Sequence, residues 1–337
     1  MTLPTTAIAG GQLAITQLGF GTAAMGGLYQ PASAEDSWAA MQAAWDAGIR
    51  HFDTAPFYGF GLAERRLGDF LRAQKSPKKS EGYVLSTKVG RLLRPVPESE
   101  IPDHGFRDPL PFTVEYDYSY DGIMRSLEFS FARLGLNKID ILYIHDIGEL
   151  THGPAANARH MAALYGSGFK ALEQLRGDGT ITAFGLGVNE IEVAQEIVER
   201  AQIDLLLMAG RYTLLDRTAA RELLPRCQAA GTAVITGGVF NSGILATGTR
   251  AADAHFNYAA APPEILRKVA TLEAVAERHG VPLPAAALQF PLRHPGIAGV
   301  LFGAAAPGPV RQNAAYAQMP IPEAAWAEFD QALGVTR

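Results

Sequence analysis

The sequence predicts a closed (β/α)₈ barrel, a TIM barrel, with an N-terminal β-hairpin plug. Short apolar runs alternate with longer segments of helical spacing from one end of the chain to the other. Eight such runs occur, and several are apolar at nearly every position. Parallel strands read this way when helices cover one face and a barrel interior the other. The length of 337 residues suits one such barrel, with residues 1–337 as a single domain. An open doubly wound sheet is the alternative that the same alternation permits.

In chain order, TAIAGGQLAITQL at 6–18 has two short apolar runs around Gly10-Gly11, a hairpin able to plug the barrel floor. Barrel strands are expected near 16–20, 50–53, 83–87, 139–145, 182–187, 204–208, 233–236 and 297–301. Helical spacing marks 34–47, 63–73, 122–134, 169–176, 190–201 and 263–278. Two connections are too long for simple turns. Residues 89–117 are rich in proline and carry Phe106, Phe112 and Tyr116, and residues 237–262 are rich in Gly, Ala and Asn. Both follow strands, so both belong on the strand-end face, where long loops bind ligands. Arg72 to Lys79 reads as the solvated end of a helix followed by a loop.

Composition narrows the function. Hydrophobic residues make up 48% and charged residues 19%, the balance of a globular protein with a sizeable core. The net charge is −5, and no basic cluster points to nucleic acid. No apolar stretch is long enough for a membrane span, and the N-terminus lacks the features of a signal peptide. The single cysteine, Cys227, suits a reducing compartment. A cytoplasmic protein that is a monomer or small homo-oligomer is expected.

Chemistry concentrates where three strands end, at HFDTAPFYG (51–59), LSTKVG (85–90) and IDILYIHD (139–146). Asp53, Tyr58, Lys88 and His145 lie at or just past these ends and would meet at one mouth of the barrel. A nearby ammonium favours the phenolate, so Lys88 would pull the pKa of Tyr58 down and make it a usable acid and base. Asp53 would hold Lys88, and His145 would donate to a substrate oxygen as charge develops there. Taken singly, each is an ordinary strand-end residue; the combination is what points to proton transfer at a carbonyl or alcohol.

These stretches, with LGFGTAAMGG at 18–27, SLEFSFARLGLNKIDILYIHD at 126–146 and FGAAAPGPVRQN at 302–313, resemble the aldo-keto reductase superfamily along nearly the whole chain. The resemblance implies a catalytic tetrad of Asp53, Tyr58, Lys88 and His145, with Tyr58 as general acid/base. It also implies hydride transfer to or from a nicotinamide nucleotide across the C-terminal mouth. The cofactor carry-over is partial. Gly185-Leu186-Gly187-Val188-Asn189 replaces the family's Gly-Val-Ser-Asn, leaving Asn189 for the carboxamide; Gly237 stands for a stacking tyrosine and Ala209 for a glutamine. Thr22 and Asp53 would lie beside the cofactor. The backbone of Gly237, Gly238, Val239, Phe240, Ser242 and Gly243 would wrap the pyrophosphate. Gly303, Ala304, Arg311 and Asn313 would hold the adenosine end. That segment has no cation before Arg311 to clamp a 2′-phosphate, so the expected cofactor is NAD, with NADP possible.

Other signals are set aside. Gly19-Phe20-Gly21-Thr22-Ala23-Ala24 fits a dinucleotide-binding pattern, but Gly26, Gly27 and Pro31 intervene before any helix. His152 and His160 sit eight apart in what reads as a polar loop, without metal spacing, so no metal is expected. Trp38, Trp45 and Trp326 fall on helix-like segments, as does Cys227.

YDYSYDGIMRSLEFS (116–130), IHDIG (144–148), GLGVNE (185–190) and AGRYTLLD (209–216) resemble the branch that oxidises sugar hemiacetals of the L-fucose and D-arabinose type to lactones. They also resemble the related pyridoxal 4-dehydrogenases. An NAD preference fits oxidation, because the cellular NAD pool is kept oxidised. The alternatives are an NADPH-dependent broad-range aldehyde and ketone reductase, and a non-enzymatic relative that retains the tetrad.

Overall fold

The computed structural model describes residues 3–74, 82–249, 254–257 and 259–334. Eight parallel strands close into a barrel in chain order. They are β1 (Leu18–Gly21), β2 (His51–Asp53), β3 (Val84–Val89), β4 (Ile141–His145), β5 (Ala183–Val188), β6 (Leu205–Ala209), β7 (Ala233–Gly237) and β8 (Ile297–Gly303). β8 pairs back onto β1 with Gly303 opposite Gly21, which closes the ring. The eight expected strands are all present, each within about two residues of its expected bounds, and the open sheet is excluded.

β3, β4 and β5 are buried at every position. That is the consequence of packing on both faces. On the outer face, helices such as Ala34–Asp46, Leu62–Ala73 and Tyr120–Leu134 cover Phe52, Leu85 and Leu142. Ser33 caps the first of these, accepting from the Asp36 amide at 2.9 Å, and Ser119 caps the third. On the inner face, Val84, Ile141, Leu205 and Ile235 gather at the lower end of the barrel with Ile8 and Ile15. The last two come from the N-terminal hairpin, Thr5–Ile8 paired antiparallel with Leu13–Thr16. Gly10 and Gly11 turn it with φ of 63° and 88°. The plug therefore works by burial: Ile15 is fully enclosed.

The long connections are more ordered than expected. Within 89–117, Arg91–Pro95 pairs antiparallel with Phe112–Tyr116, a hairpin standing on the strand-end face. Within 237–262 there is a short helix, Ile244–Thr247, and a two-residue pairing of His255–Phe256 with Ala259–Ala260. The segment holding His152 and His160 is not a loop but a helix, Glu149–Ala163, bent at Gly153 (φ 70°). Three helices beyond those named from periodicity, Leu283–Gln289, Pro307–Tyr316 and Glu323–Ala332, complete the C-terminal third. The tryptophans and Cys227 lie on helices as expected. Only a single 3₁₀ turn, Ala23–Gly26, follows the glycine pattern after β1, and the first α-helix begins at Ala34. Most of the basic stretch at 72–79 lies outside the described residues.

Candidate active site

Side chains alternate along a strand, so the residues that face inward at the upper ends of β2, β3 and β4 are Asp53, Lys88 and His145. All three are buried. Lys88 Nζ donates to Asp53 Oδ2 at 2.6 Å and to the Thr54 carbonyl at 2.8 Å. Ser86 Oγ donates to the other Asp53 oxygen at 2.7 Å. Burying the two charges is thereby compensated by direct pairing and by hydrogen bonds on both sides. Burial works against the Lys88 ammonium, but Asp53 and Tyr58 outweigh it and hold its pKa above the usual lysine value.

Tyr58 is placed by a turn rather than a strand, between β2 and the helix Leu62–Ala73. That turn is pressed against the loop after β1. A Cβ at Gly26 would lie 2.6 Å from the Gly59 amide nitrogen, and one at Gly59 2.5 Å from the Gly26 carbonyl oxygen. Only glycine at both positions permits this approach, and Gly59 also has φ of 61°. The Tyr58 ring centre ends 4.9 Å from Lys88 Nζ and 5.9 Å from the His145 ring, perpendicular to it. Burial pushes the phenol up to about 12, with the Lys88 ammonium opposing the rise. The expected lowering by Lys88 is thus present in sign, and desolvation exceeds it.

His145 is pushed well below the usual imidazole pKa by burial, with the nearby Arg91 and Lys88 cations acting in the same direction. It is a neutral ring at physiological pH. Its Nε2 lies 3.4 Å from Asp146 Oδ2, while Nδ1 is buried with no partner among the described residues. A carboxylate beside Nε2 favours the tautomer with the proton there, so His145 is a donor toward the site. Tyr118, fully buried, donates its hydroxyl to the His145 carbonyl at 2.9 Å and meets His152 Nε2 at 3.0 Å.

Tyr58, Lys88 and His145 open into a cavity of about 480 Å³ whose wall includes Phe57, Phe106, Asp146 and Asn189. Around the rest of the mouth, β5, β6 and β7 carry Gly187, Ala209 and Gly237 at their ends. A Cβ at Gly187 would press on Tyr143 Cβ at 3.3 Å and Lys88 Cε at 3.6 Å. On this side the cavity is lined by Gly187, Val188, Leu207 and Ala209, small or apolar residues opposite the polar groups of β2, β3 and β4. Asn189 is on the cavity wall. The segment 237–243 is pinned by Asn241, whose Oδ1 accepts from Thr213 Oγ1 at 2.6 Å and whose Nδ2 donates to the Gly210 carbonyl at 3.4 Å. Gly238, Asn241, Ser242 and Gly243 all have positive φ there, so the loop is a run of tight turns held in a defined shape. Val239 is buried under it, and Phe240 is half-buried. Gly303 is exposed at the end of β8, Ala304 half-buried, and Arg311 and Asn313 lie on the helix Pro307–Tyr316.

Thr22 is fully buried and its hydroxyl donates to the Asp53 carbonyl at 3.0 Å; its neighbour Ala23 lines the cavity. Asp146 and its partner Arg91 add to the residues that the sequence points to, and the signals for them are the His-Asp step and a cation three residues past Lys88. Arg91 Nη2 binds Asp146 Oδ2 at 2.7 Å, and its guanidinium lies 4.0 Å from the Phe57 ring centre. A second cavity, of about 590 Å³, adjoins the first across Asn189 and is lined by Glu149, Glu190, Arg211 and Asp216. Among the described residues, no group of three potential metal ligands occurs, and no helix is long and apolar enough to cross a membrane.

A parallel eight-stranded barrel with a Lys-Asp pair, a tyrosine and a histidine at its C-terminal mouth is the architecture of an enzyme equipped to move a proton at a carbonyl or alcohol. The chain belongs to the aldo/keto reductase family, whose model matches residues 17–333. It is similar to the pyridoxal 4-dehydrogenase of Microbacterium luteolum, 46% identical over 323 residues that cover 93% of each chain. It is also similar to the D-threo-aldose 1-dehydrogenase of Pseudomonas sp, 42% identical over 98% of this chain and 97% of that one. Among solved structures, a glycerol dehydrogenase from Gluconobacter oxydans superposes with a TM-score of 0.74 over 98% of this chain and 95% of its own, at 24% identity, a likeness of fold. The protein is an oxidoreductase of this family, whose members use nicotinamide cofactors.

Proposed function

We propose that this single-domain chain oxidises an aldose hemiacetal of the L-fucose or D-arabinose type to its lactone, in the cytoplasm, with NAD as hydride acceptor. The observation that carries the reading is the buried Asp53–Lys88 pair at 2.6 Å, whose lysine lines the cavity beside Tyr58 and His145. When bound, the nicotinamide nucleotide supplies the hydride acceptor. Gly187, Ala209 and Gly237 would leave room for its ring, and Asn189 would meet its carboxamide. Gly237, Gly238, Val239, Phe240, Ser242 and Gly243 would hold the pyrophosphate through the loop that Asn241 pins. Gly303, Ala304, Arg311 and Asn313 would hold the adenosine end.

The chain's own part is proton transfer. Tyr58, as phenolate, takes the hydroxyl proton of the substrate. Lys88, kept charged by Asp53, stabilises that phenolate, and His145 Nε2–H donates to the same substrate oxygen. In reduction the same groups run in reverse, with Tyr58 giving its proton. The NAD preference rests on the stretch from Gly303 to Pro309, which has no cation to meet a 2′-phosphate.

A second reading, oxidation of pyridoxal at its 4-position, is favoured by the 46% identity with a pyridoxal dehydrogenase and by the aromatic wall of Phe57 and Phe106. Initial rates with NAD and NADP against L-fucose, D-arabinose and pyridoxal separate the two readings. Reduction of simple aldehydes with NADPH, and no oxidation of any of the three, defeats both.

A further inference from the structure

We propose that Asp146 determines specificity by accepting a hydrogen bond from a substrate hydroxyl next to the reacting carbon, which makes the preferred substrate a neutral, hydroxylated one. This rests on the dehydrogenase reading above and adds a residue and a recognition rule to it.

The placement of the carboxylate is the first observation. Asp146 follows His145 directly, but its backbone leaves the strand in the left-handed region, with φ of 40°. Non-glycine residues adopt that region rarely and at some cost in conformational energy, and such outliers gather at sites where geometry matters. The conformation is fixed from two sides: the Asp146 amide donates to the Gly187 carbonyl at 2.9 Å, and Arg91 Nη2 binds Oδ2 at 2.7 Å. The turn brings the side chain into the cavity wall beside His145.

The second observation is what the carboxylate leaves free. An ionised carboxylate offers about four acceptor positions on two oxygens. Oδ2 is used by Arg91 and faces His145 Nε2 at 3.4 Å. Oδ1 takes no hydrogen bond among the described residues, and the side chain keeps 25% of its surface exposed, on the cavity side. Arg91 behind it is buried and stacked on Phe57, so the counter-ion stays in place whether or not substrate is bound. The acceptor is therefore pre-organised and already largely desolvated.

The third is position. His145 Nε2 and Tyr58 define where the reacting oxygen sits, and Oδ2 of Asp146 is within 3.4 Å of that same nitrogen. A hydroxyl on the neighbouring carbon of the substrate falls within hydrogen-bond reach of Oδ1. Among the described residues lining the cavity the cation is Lys88, paired with Asp53, and Arg91 behind the wall is paired with Asp146. A phosphorylated substrate would meet no free cation among these residues and would face the Asp146 carboxylate, so repulsion and the lack of a partner both count against it.

The test compares kcat/KM for the hydroxylated substrate and for its deoxy analogue lacking the neighbouring hydroxyl, in wild type, Asp146→Asn and Asp146→Gly. Both replacements accept the left-handed backbone. The ratio of the two substrates within one protein does not depend on how much of it is folded. Wild type should favour the hydroxylated substrate by roughly 10- to 100-fold, as expected of a hydrogen bond to a charged acceptor. Both variants should lower that ratio toward one, by slowing the parent more than the analogue; any slowing that reaches both substrates through the Asp146–His145 contact cancels in the ratio. A ratio that stays at the wild-type value in the variants, with both substrates slowed alike, assigns Asp146 a structural role and overturns the inference. Wild type that does not distinguish the two substrates overturns it as well, while the proposed function stands. Wild type that turns over no hydroxylated substrate overturns both.

Discussion

Replacing Lys88 by methionine should cost the fold far more than a surface charge change would. The Lys88–Asp53 pair is 2% and 4% exposed at its two side chains, and Nζ also satisfies the Thr54 carbonyl at 2.8 Å. Lys88→Met leaves the Asp53 carboxylate buried with only the Ser86 hydroxyl at 2.7 Å. Removing one partner of a buried pair costs about 3–5 kcal/mol, because the remaining charge is uncompensated. At roughly 2–3 °C per kcal/mol for a chain of this size, that is a fall in Tm of about 6–15 °C. Replacing both partners removes the stranded charge, so Lys88→Met/Asp53→Leu should recover about 2 kcal/mol or more, short of wild type because the Ser86 hydroxyl and Thr54 carbonyl lose partners. Urea unfolding of wild type, both singles and the double variant closes the cycle. A single-variant cost below about 1 kcal/mol, or single costs that simply add in the double, refutes the reading of these residues as a desolvated, mutually dependent pair.

Three further outcomes follow from the site. The Tyr58 phenol is pushed up to about 12, so the phenolate needed for oxidation is scarce at pH 7 and grows about tenfold per pH unit below that value. Oxidation kcat/KM should therefore rise steadily from pH 7 to 10, while aldehyde reduction, which needs the phenol, stays flat; an oxidation plateau beginning at pH 7 contradicts this. Ala305→Arg places a cation in the half-buried segment after β8 and should raise the NADP:NAD ratio of kcat/KM by about 10-fold or more; no change locates the ribose elsewhere, with Arg311 the next residue to replace. Gly90→Ala adds a Cβ that overlaps the Tyr118 ring at φ of 98°; it should destabilise by about 2–4 kcal/mol and disturb the Tyr118 bond to the His145 carbonyl, seen as a lower Tm and lower kcat with nucleotide affinity retained.

Much of this molecule was legible in its sequence because strands buried on both faces write their burial directly into composition. ILYIH and AFGLGV could be read as strands without any partner in view, and Asp53, Lys88 and His145 then fell at their ends by counting. Where structure depends on contacts between distant segments, the sequence was mute. The helix over His152 and His160 buries only Asn157 and Met161 and carries a Gly-Pro step, so it shows no apolar stripe. The hairpin of Arg91–Pro95 with Phe112–Tyr116 joins segments across a proline-rich loop, and nothing local announces the pairing. Tyr58 differs for a related reason: its neighbouring lysine is readable in the sequence, but the depth of burial that outweighs it is a property of the assembled mouth. The bond of the Thr22 hydroxyl to the Asp53 carbonyl likewise joins two strand ends and has no local signal.

The most direct measurement of the central claim is proton transfer by Tyr58. In Tyr58→Phe the ring remains and only the hydroxyl is lost, so packing against His145 and the Lys88 ammonium persists. Single-turnover oxidation and NADH binding by fluorescence titration, measured on the same preparation, separate chemistry from binding. Turnover should fall by about 10²–10⁴-fold or more, with the dissociation constant for the nucleotide within a few-fold of wild type. Turnover at the wild-type rate would contradict the assignment of Tyr58 as the acid and base of this enzyme.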